Sequence, residues 1–213
     1  MRLRKKPWIE NAIQDYQHLV ELTDPSPRKG KWLEAFPEKT QLHLEIGCGK
    51  GSFINSLSEQ NPNIAYIGIE SQLGVLYYAV LKAHERQANN LQFIHGDAAQ
   101  LTDWFNDGEV DQLYLNFSDP WPKNRQAKRR LTHRGFLAVY RQILKPGGRL
   151  LLKTDNQALF AFSLAEFEAA NLTVEIVSWD LHNSELPNPA MTEYEKKFSS
   201  LGQAICFSQV RFE

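Results

Sequence analysis

The sequence predicts an α/β fold: a doubly wound, mostly parallel sheet of seven strands with helices on both faces and an antiparallel C-terminal strand. Strand-like apolar runs alternate with helical runs from residue 41 onward, and a glycine-rich loop closes the first of these strands. Regular alternation favours right-handed crossovers, which place successive strands parallel in one sheet. We therefore expect ligands to bind at the carboxyl ends of the strands.

The elements follow one another in a regular order. The strands are predicted at 41–46, 64–69, 91–95, 110–117, 149–153, 172–179 and 203–211. The helices are predicted at 51–60, 72–88, 98–105, 133–144, 156–170 and 192–201. The run at 110–117 contains the valine, tyrosine and phenylalanine that are typical of buried strands. A proline-containing loop between the last two strand-like runs indicates a strand that returns antiparallel at the C-terminus.

Residues 1–40 form a predicted N-terminal arm that precedes the main domain at 41–213. The arm begins with a basic tail and continues into a short helix predicted around 9–22. The basic residues of the tail are Arg2, Arg4, Lys5 and Lys6. These cations could contact nucleic acid or form an ordinary solvated terminus, and the sequence leaves both interpretations open.

Composition limits the classes of protein that the chain can be. Its 213 residues are 42% hydrophobic and 23% charged, which fits one globular unit that is stable without disulfides. Cys48 and Cys206 are far apart and belong to no Cys-x-x-Cys motif, which argues against a secreted scaffold and a zinc site. No apolar run reaches membrane-spanning length. We expect a cytoplasmic protein without a metal, either a monomer or a homodimer.

A rigid turn after the fourth strand leads into a strip of positive charge. Asp119 and Trp121 each precede a proline, which restricts their backbones and favours extended geometry. Between Lys123 and Arg134 there are six lysines or arginines and no acid, although the net charge of the whole chain is −1. Such a local strip beside a fixed carboxylate fits a bound polyanion. A solvated helix face is the alternative.

The loop at 45–51 carries glycines at alternating positions after a strand and before a helix. Glycine allows positive φ and lets the backbone approach a ligand closely. The spacing is G-x-G-x-G, one residue shorter than the dinucleotide fingerprint, and Glu45 in front of it would repel a phosphate. The loop therefore predicts a cofactor without a pyrophosphate.

Acids occupy the carboxyl ends of three consecutive predicted strands. They are Glu45, Glu70 and Asp97. Glu70 follows the glycine loop by about twenty residues, where an acid can accept both hydroxyls of a ribose, and Asp97 is placed to meet an adenine edge. A cofactor with a ribose, an adenine and a positive centre fits this set, and S-adenosyl-L-methionine has all three. For Glu70 or Asp97 alone, helix N-capping is the alternative role.

With these motifs, the chain resembles the bacterial tRNA (guanine-N7)-methyltransferase family over nearly all of residues 41–213. The resemblance is carried by residues 45–51, Gly68-Ile69-Glu70, the block from Ser118 to Leu131, Lys153-Thr154-Asp155-Asn156, and Thr192 to Phe198. The block from Ser118 to Leu131 is highly specific, whereas most class I methyltransferases share the glycine loop. The resemblance implies a Rossmann-like class I fold and methyl transfer from S-adenosyl-L-methionine to N7 of a guanosine in the variable loop of tRNA.

The resemblance also implies roles for individual residues. The cofactor contacts would be Glu45, Gly47, Gly49, Glu70, Asp97 and Asp119. The substrate contacts would be Lys123, Asp155, Thr192, Glu193, Tyr194 and Glu195. The RNA-contacting segment would be Arg125, Gln126, Ala127, Lys128, Arg129 and Arg130. Asp119 is the candidate catalytic residue, acting through orientation and electrostatics.

Several of these positions have other interpretations. Thr192 and Glu195 match a capping box, in which the threonine caps the helix and the glutamate bonds back to the backbone. Asp155 or Asn156 could cap the helix predicted at 156–170. Trp121 and Tyr194 are candidate stacking platforms for the target base, although Trp121 could instead close the core under the turn.

Two other functions stay open at the level of sequence. The acid-proline-aromatic pattern at 119–122 is similar to that of methyltransferases that act on exocyclic amines, so an amine of RNA is an alternative substrate. A catalytically inactive RNA-binding module with the same fold is the other alternative. The complete set of strand-end acids argues against the inactive module.

Overall fold

The computed structural model describes residues 6–213. Three residues of the predicted basic tail, Arg2, Arg4 and Lys5, therefore lie outside the described part. Residues 6–213 contain the strands β1 (Val20–Glu21), β2 (Leu42–Ile46), β3 (Ala65–Glu70), β4 (Leu91–His95), β5 (Val110–Asn116), β6 (Leu144–Thr154), β7 (Thr173–Ser178) and β8 (Cys206–Arg211). They also contain the helices α1 (Trp8–Ala12), α2 (Ser52–Gln60), α3 (Leu73–Glu85), α4 (Leu101–Trp104), α5 (Arg134–Ile143), α6 (Gln157–Ala169) and α7 (Glu193–Ser199). No helix in this range has the length and apolar character that crossing a membrane requires.

The strands form one sheet in the order β1-β4-β3-β2-β5-β6-β8-β7. Strands β1 to β6 pair in parallel, whereas β8 pairs antiparallel with both β6 and β7. This confirms the predicted mostly parallel sheet with its antiparallel C-terminal strand. The described sheet has eight strands, one more than the seven predicted.

The additional strand comes from the N-terminal segment. The helix predicted around 9–22 is wrong in length, because α1 ends at Ala12 and a short 3-10 turn ends at Tyr16. The chain then extends, and Val20 pairs in parallel with Phe93 on the outer side of β4. An open strand edge presents unpaired backbone groups, and pairing with them stabilises an extended conformation here.

Apolar side chains cover both faces of the sheet. One buried cluster joins Leu44 and Leu113 of the sheet to Phe160 of α6. A second cluster joins Tyr66 of the sheet to Phe53 of α2 and to residues of α3. All five residues of β2 are buried because the strand is central and has both faces covered.

Gly51 joins the glycine loop to α2 at a point where α2 and α3 are close. Its φ is +74°, in the left-handed region that glycine adopts readily. A Cβ at this position would lie 2.5 Å from Cβ of Ala79 in α3. Gly74, in the first turn of α3, has open space where its Cβ would be. The two glycines therefore make a matched pair for substitution.

We expect Gly51→Ala to lower the free energy of unfolding by about 2 kcal/mol or more, because it combines left-handed strain with overlap against α3. Gly74→Ala should be neutral or should stabilise α3 by up to about 1 kcal/mol. Urea unfolding of both variants measures the difference. Equal stabilities for the two variants would contradict this account of the loop.

Candidate functional site

A cavity of about 530 Å³ opens at the carboxyl ends of the central parallel strands. Four residues from the predicted cofactor set line it: Gly47, Glu70, Asp97 and Asp119. They follow or end β2, β3, β4 and β5 respectively, so the crossover topology brings them together at one edge. The volume is in the usual range of small-molecule sites.

The glycine loop is attached to the end of β3 through its backbone. The amides of Gly47 and Cys48 donate to the carbonyl oxygen of Ile69 at 2.8 and 3.0 Å. The amide of Gly49 donates to Oε2 of Glu70 at 3.1 Å. Glu70 is nearly buried and its Oε1 accepts from the amide of Gln72 at 2.9 Å. The carboxylate therefore holds the loop in place while it also faces the cavity.

Asp97 combines a capping bond with exposure to the cavity. Its Oδ1 accepts from the amide of Ala99 at 2.9 Å, so the predicted capping role is present. The side chain remains exposed and lines the cavity. Capping fixes its orientation and leaves carboxylate lone pairs available to a ligand.

Glu45 lies behind the cavity wall and is 1% exposed. Its Oε1 accepts from Nδ2 of Asn116 at 2.8 Å, and Asn116 lines the cavity. Its Oε2 is buried without a hydrogen-bond partner among the described residues. Burial raises the pKa of Glu45 to about 8, and the negative charge of Glu193 adds to the increase, whereas the hydrogen bond from Asn116 and the charge of Lys153 oppose it. Burial therefore favours the protonated, neutral form of Glu45 in the folded protein.

The turn after β5 is strained on both sides of Asp119. Phe117 has a φ of +53° and Trp121 a φ of +41°. The extended geometry predicted for Trp121 from the following proline is therefore wrong. Left-handed conformations of such residues cost about 1 to 3 kcal/mol and persist only where neighbouring contacts hold them. Asp119 is exposed at the rim of the cavity between these two residues.

Arg130 supplies contacts that hold this turn. Its Nε donates to the carbonyl oxygen of Pro120 and its Nη2 to that of Trp121, both at 3.0 Å. The guanidinium also lies over the ring of Phe162, at 4.3 Å from its centroid. Arg130 is half-buried and thus stabilises the turn through its own contacts, a role that its place in a basic run did not indicate.

The cations at Lys123, Arg125, Lys128 and Arg129 lie at the surface of the basic segment. Residues Asn124–Arg129 form a 3-10 helix. Arg129 lies over the ring of Trp121 at 4.4 Å, and it lines the cavity together with Lys128. Lys123, Arg125, Lys128 and Arg129 are exposed, whereas Gln126 and Ala127 are half-buried. None of the ion pairs within residues 6–213 involves Lys123, Arg125, Lys128, Arg129 or Arg130, whereas Arg134 at the end of the strip pairs with Glu166.

The N-terminus of α7 shows half of the predicted capping box. Oγ1 of Thr192 accepts from the amide of Glu195 at 2.9 Å. The glutamate does not return this bond, because its carboxylate is fully buried and contacts Nζ of Lys153 at 3.2 Å, Nδ2 of Asn188 at 2.8 Å and Nε2 of His182 at 3.1 Å. Glu195 therefore lies buried behind the start of α7 and is bonded to residues from three other parts of the chain.

Tyr194 and Asp155 form an exposed pair near the turn. The hydroxyl of Tyr194 donates to Oδ2 of Asp155 at 3.0 Å, and the ring stacks on Phe198 at 4.1 Å. Tyr194 is 42% exposed and its ring lies 5.0 Å from that of Phe117. Asn156, not Asp155, caps α6 through the amide of Leu159. Asp155 is thus not used as a helix cap.

Lys82 connects the glycine loop to α7. Its Nζ donates to the carbonyl oxygen of Lys50 at 2.8 Å and to Oγ of Ser52 at 2.7 Å, and it pairs with the carboxylate of Glu193. Burial raises the pKa of Glu193, but the hydrogen bonds from Lys82 and Ser52 and the positive charge of Lys82 give a net lowering. The sequence analysis missed Lys82, because a lysine on a helix carries no motif that reveals such a contact.

The arrangement combines acids around a cavity with cations at its rim. Such a site can hold a ligand that has hydroxyls and a positive centre, and it can hold a polyanion beside it. Within residues 6–213, no group of three or more histidine, cysteine, aspartate and glutamate side chains is placed to hold a metal ion. The carboxylates and cations around the cavity can orient a bound ligand and stabilise charge on it.

We expect Glu45→Gln to become more stable than the wild type as pH rises from 5 to 8. The folded protein keeps a proton on Glu45 up to a pKa of about 8, whereas the unfolded chain releases it near 4.5. The contribution of this group to stability is full below pH 4.5 and is lost as pH rises to 8. Thermal unfolding across this range measures the difference. Glu85→Gln, at an exposed position of α3, is the control, and a constant difference between Glu45→Gln and the wild type would contradict the prediction.

Solved structures share the fold at low sequence identity. The 16S rRNA methyltransferase KamB aligns with a TM-score of 0.65 and 13% identity, covering 91% of this chain and 95% of that one. A SAM-dependent methyltransferase from Aquifex aeolicus aligns with a TM-score of 0.58 and 16% identity, covering 99% and 100%. These similarities establish the class I methyltransferase fold.

Sequence comparison gives a closer relationship. Residues 39–208 match the family described as "Putative methyltransferase". The tRNA (guanine-N(7)-)-methyltransferase of Geobacillus sp. (strain WCH70) is 46% identical over 212 residues, covering 100% of this chain and 96% of the relative. The Bacillus subtilis (strain 168) enzyme of the same name is 45% identical over 212 residues, covering 100% and 99%. The chain belongs to the bacterial tRNA (guanine-N(7)-)-methyltransferase family.

Proposed function

We propose that this protein transfers a methyl group from S-adenosyl-L-methionine to N7 of a guanosine in the variable loop of tRNA. The observation that carries the proposal is the cavity at which Glu70, Asp97 and Asp119 meet, with the basic segment at its rim. The names of the relatives supply the substrate. We also propose that the reaction takes place in the cytoplasm, where tRNA would be available as the substrate.

The residues around the cavity suit the proposed cofactor. Glu70 is held at the end of β3, where a carboxylate can accept ribose hydroxyls, and Asp97 follows the neighbouring strand. The unpaired Oε2 of Glu45 is a polar atom available near the cavity wall. Gly47 and Gly49 have positive φ and present backbone without side chains. When bound, S-adenosyl-L-methionine supplies a methyl group on a positively charged sulfur.

The proposed reaction needs alignment more than proton transfer. Guanine N7 carries a lone pair and no proton, so no base has to act before attack. The bond from N7 to carbon forms as the bond from carbon to sulfur breaks, and the electron pair of that bond stays on sulfur. Holding the two reactants in line contributes about 7 to 11 kcal/mol in favourable cases. Positive charge moves onto the purine, where the carboxylate of Asp119 stabilises it.

The rim of the site supplies the contacts proposed for RNA. Tyr194 and Trp121 are the aromatic rings available to a base taken out of its stack. Lys123 would bind the substrate through guanine O6 or a phosphate. It would not stabilise the transition state, because a cation gains nothing beside a purine that becomes positive. Asp155 is fixed by Tyr194 at the same rim. We propose that Thr192 and Glu195 act by positioning α7, because the one caps the helix and the other is buried.

Nucleoside mass spectrometry tests the proposed function directly. Unmodified tRNA incubated with the protein and S-adenosyl-L-methionine should yield N7-methylguanosine in the variable loop. Calorimetry should show that the protein binds S-adenosyl-L-methionine. A methylated exocyclic amine would support the alternative enzyme, and absence of cofactor binding would support the inactive RNA-binding module.

Asp119→Asn separates the two enzymatic possibilities. If N7 is the acceptor, the amide keeps part of the orienting hydrogen bonds, and we expect the rate to fall by less than about 100-fold. If an amine were the acceptor, loss of a proton acceptor would reduce the rate by about 100-fold to 10,000-fold. Single-turnover kinetics with saturating cofactor measures the rate. Asp119→Ala, which keeps neither charge nor hydrogen bond, should lose more activity than Asp119→Asn.

Arg125→Gln tests the contact between the basic segment and RNA. We choose Arg125 because it is exposed, whereas Arg129 and Arg130 already contact the turn. The substitution should weaken tRNA binding and reduce the slope of log affinity against log salt by about 0.7 to 0.9. Fluorescence anisotropy at several salt concentrations measures both.

Lys31→Gln is the matched control for Arg125→Gln. Lys31 is exposed, and its neighbours Gly30 and Trp32 donate to Glu109 directly before β5, at the opposite edge of the sheet from the cavity. It should leave the salt slope unchanged. A wild-type slope for Arg125→Gln would remove that residue from the proposed RNA contacts.

A further inference from the structure

We propose that a second surface, formed by α1, α3 and the glycine loop, binds the same tRNA at a point away from the methylated nucleotide. We name it the α1–α3 patch and define it by Lys6, Trp8, Lys50, Tyr77 and Tyr78. The inference rests on the proposed function, because it assumes that tRNA is the substrate. None of these residues belongs to the set proposed above for the cofactor, the target base or the basic segment.

Aromatic rings and lysines contact one another across the patch. Nζ of Lys6 donates to the hydroxyl of Tyr78 at 2.7 Å and lies 5.2 Å from the centre of its ring. Nζ of Lys50 lies 5.9 Å from the same ring. Trp8 packs edge-on against Tyr77 at 5.4 Å between ring centres. Two elements and a loop that are distant in sequence therefore build one continuous surface.

The patch leaves an aromatic ring and positive charge available to a partner. Trp8 is 52% exposed, an unusual position for the largest apolar side chain. Of the ion pairs formed within residues 6–213, none uses Lys6 or Lys50. An exposed ring beside cations that lack acidic partners is the combination that binds single-stranded nucleic acid, by stacking on bases and pairing with phosphates.

The position of the patch fits an RNA that also enters the active site. β2 lies between β3 and β5, so the glycine loop after β2 lies between the turn after β5 and α3 after β3. The glycine loop, which carries Lys50 of the patch, therefore lies between α3 and the turn that leads into the basic segment. Lys82 links the carbonyl oxygen of Lys50 to Glu193 at the start of α7, so the patch borders that end of the site.

RNA fits the patch better than another copy of the chain does. A protein interface is typically depleted of lysine at its centre, whereas this surface places two lysines at a single tyrosine ring. The sequence places Arg2, Arg4 and Lys5 directly before Lys6, which adds positive charge to the same part of the chain. We therefore propose RNA as the partner of the patch. Self-association is the alternative that the experiment below distinguishes.

The test compares tRNA binding by Trp8→Ala and Lys6→Gln with that of the wild type. The probe is an unmodified tRNA transcript, and anisotropy is measured over a range of salt concentrations. Trp8→Ala should raise the Kd for tRNA by about fivefold or more, because a stacked base is lost. Lys6→Gln should reduce the salt slope by about 0.7 to 0.9, because one phosphate contact is lost. The Kd for S-adenosyl-L-methionine should not change in either variant.

Trp179→Ala is the matched control for the tryptophan. Trp179 is 47% exposed and packs edge-on against Phe160 of α6 at 4.8 Å, so it has similar exposure and similar packing. It follows β7, the last strand at the far side of the sheet from β1. Its substitution should leave tRNA affinity unchanged. If Trp8→Ala unfolds, Lys6→Gln decides the question, since an exposed charge contributes little to stability.

The outcomes separate this inference from the proposed function. Wild-type protein that forms no N7-methylguanosine would overturn the proposed function, whereas the patch is judged by tRNA affinity and salt slope. Wild-type Kd and slope in both variants would overturn the patch. A change of sedimentation in Trp8→Ala with unchanged tRNA affinity would overturn it as well, by assigning the surface to self-association.

Discussion

The parallel hydrogen bonding of β2 with both of its neighbours is the constraint on which the site depends. In this register, Glu45 lies opposite Gly68 of β3 and opposite Tyr114 of β5. The three strands therefore end at nearly the same level, and the loop or acid that follows each one meets the others at a single cavity. A shift of one residue would turn every side chain of a strand to the other face and would separate the acids.

The cations of the site have two different roles. Those that are bonded within the protein stabilise the structure, and those that are exposed are available to a partner. Arg130 and Lys153 bond to carbonyl oxygens or to buried acids, so they stabilise the turn and the start of α7. Arg125 and Lys128 are exposed and keep their charge for a partner. A buried charge is tolerable only when it is paired, whereas an exposed charge can remain free for binding. The same residue type thus serves stability at one position and recognition at another.

Strain and rigidity are concentrated where the proposed chemistry takes place. Phe117 and Trp121 adopt left-handed backbone conformations on the two sides of Asp119, and the contacts of Arg130 hold the second of them. Glu70 fixes the glycine loop, and Lys82 fixes the loop to α7. Methyl transfer to a lone pair requires reactants held in line, and a rigid frame around the cavity meets that requirement.

The sequence by itself determined the α/β class, the mostly parallel sheet and the edge at which Glu70, Asp97 and Asp119 lie together. It could do so because strand-helix alternation and acids at strand ends are local patterns with fixed consequences for topology. Only the tertiary structure decided that Val20 pairs with β4, that Arg130 bonds to the turn after β5 and that Glu195 is buried against Lys153. It also decided that Lys82 joins two segments far apart in sequence. Local patterns carry no information on such contacts, because pairing between distant residues is set by the packing of the whole fold.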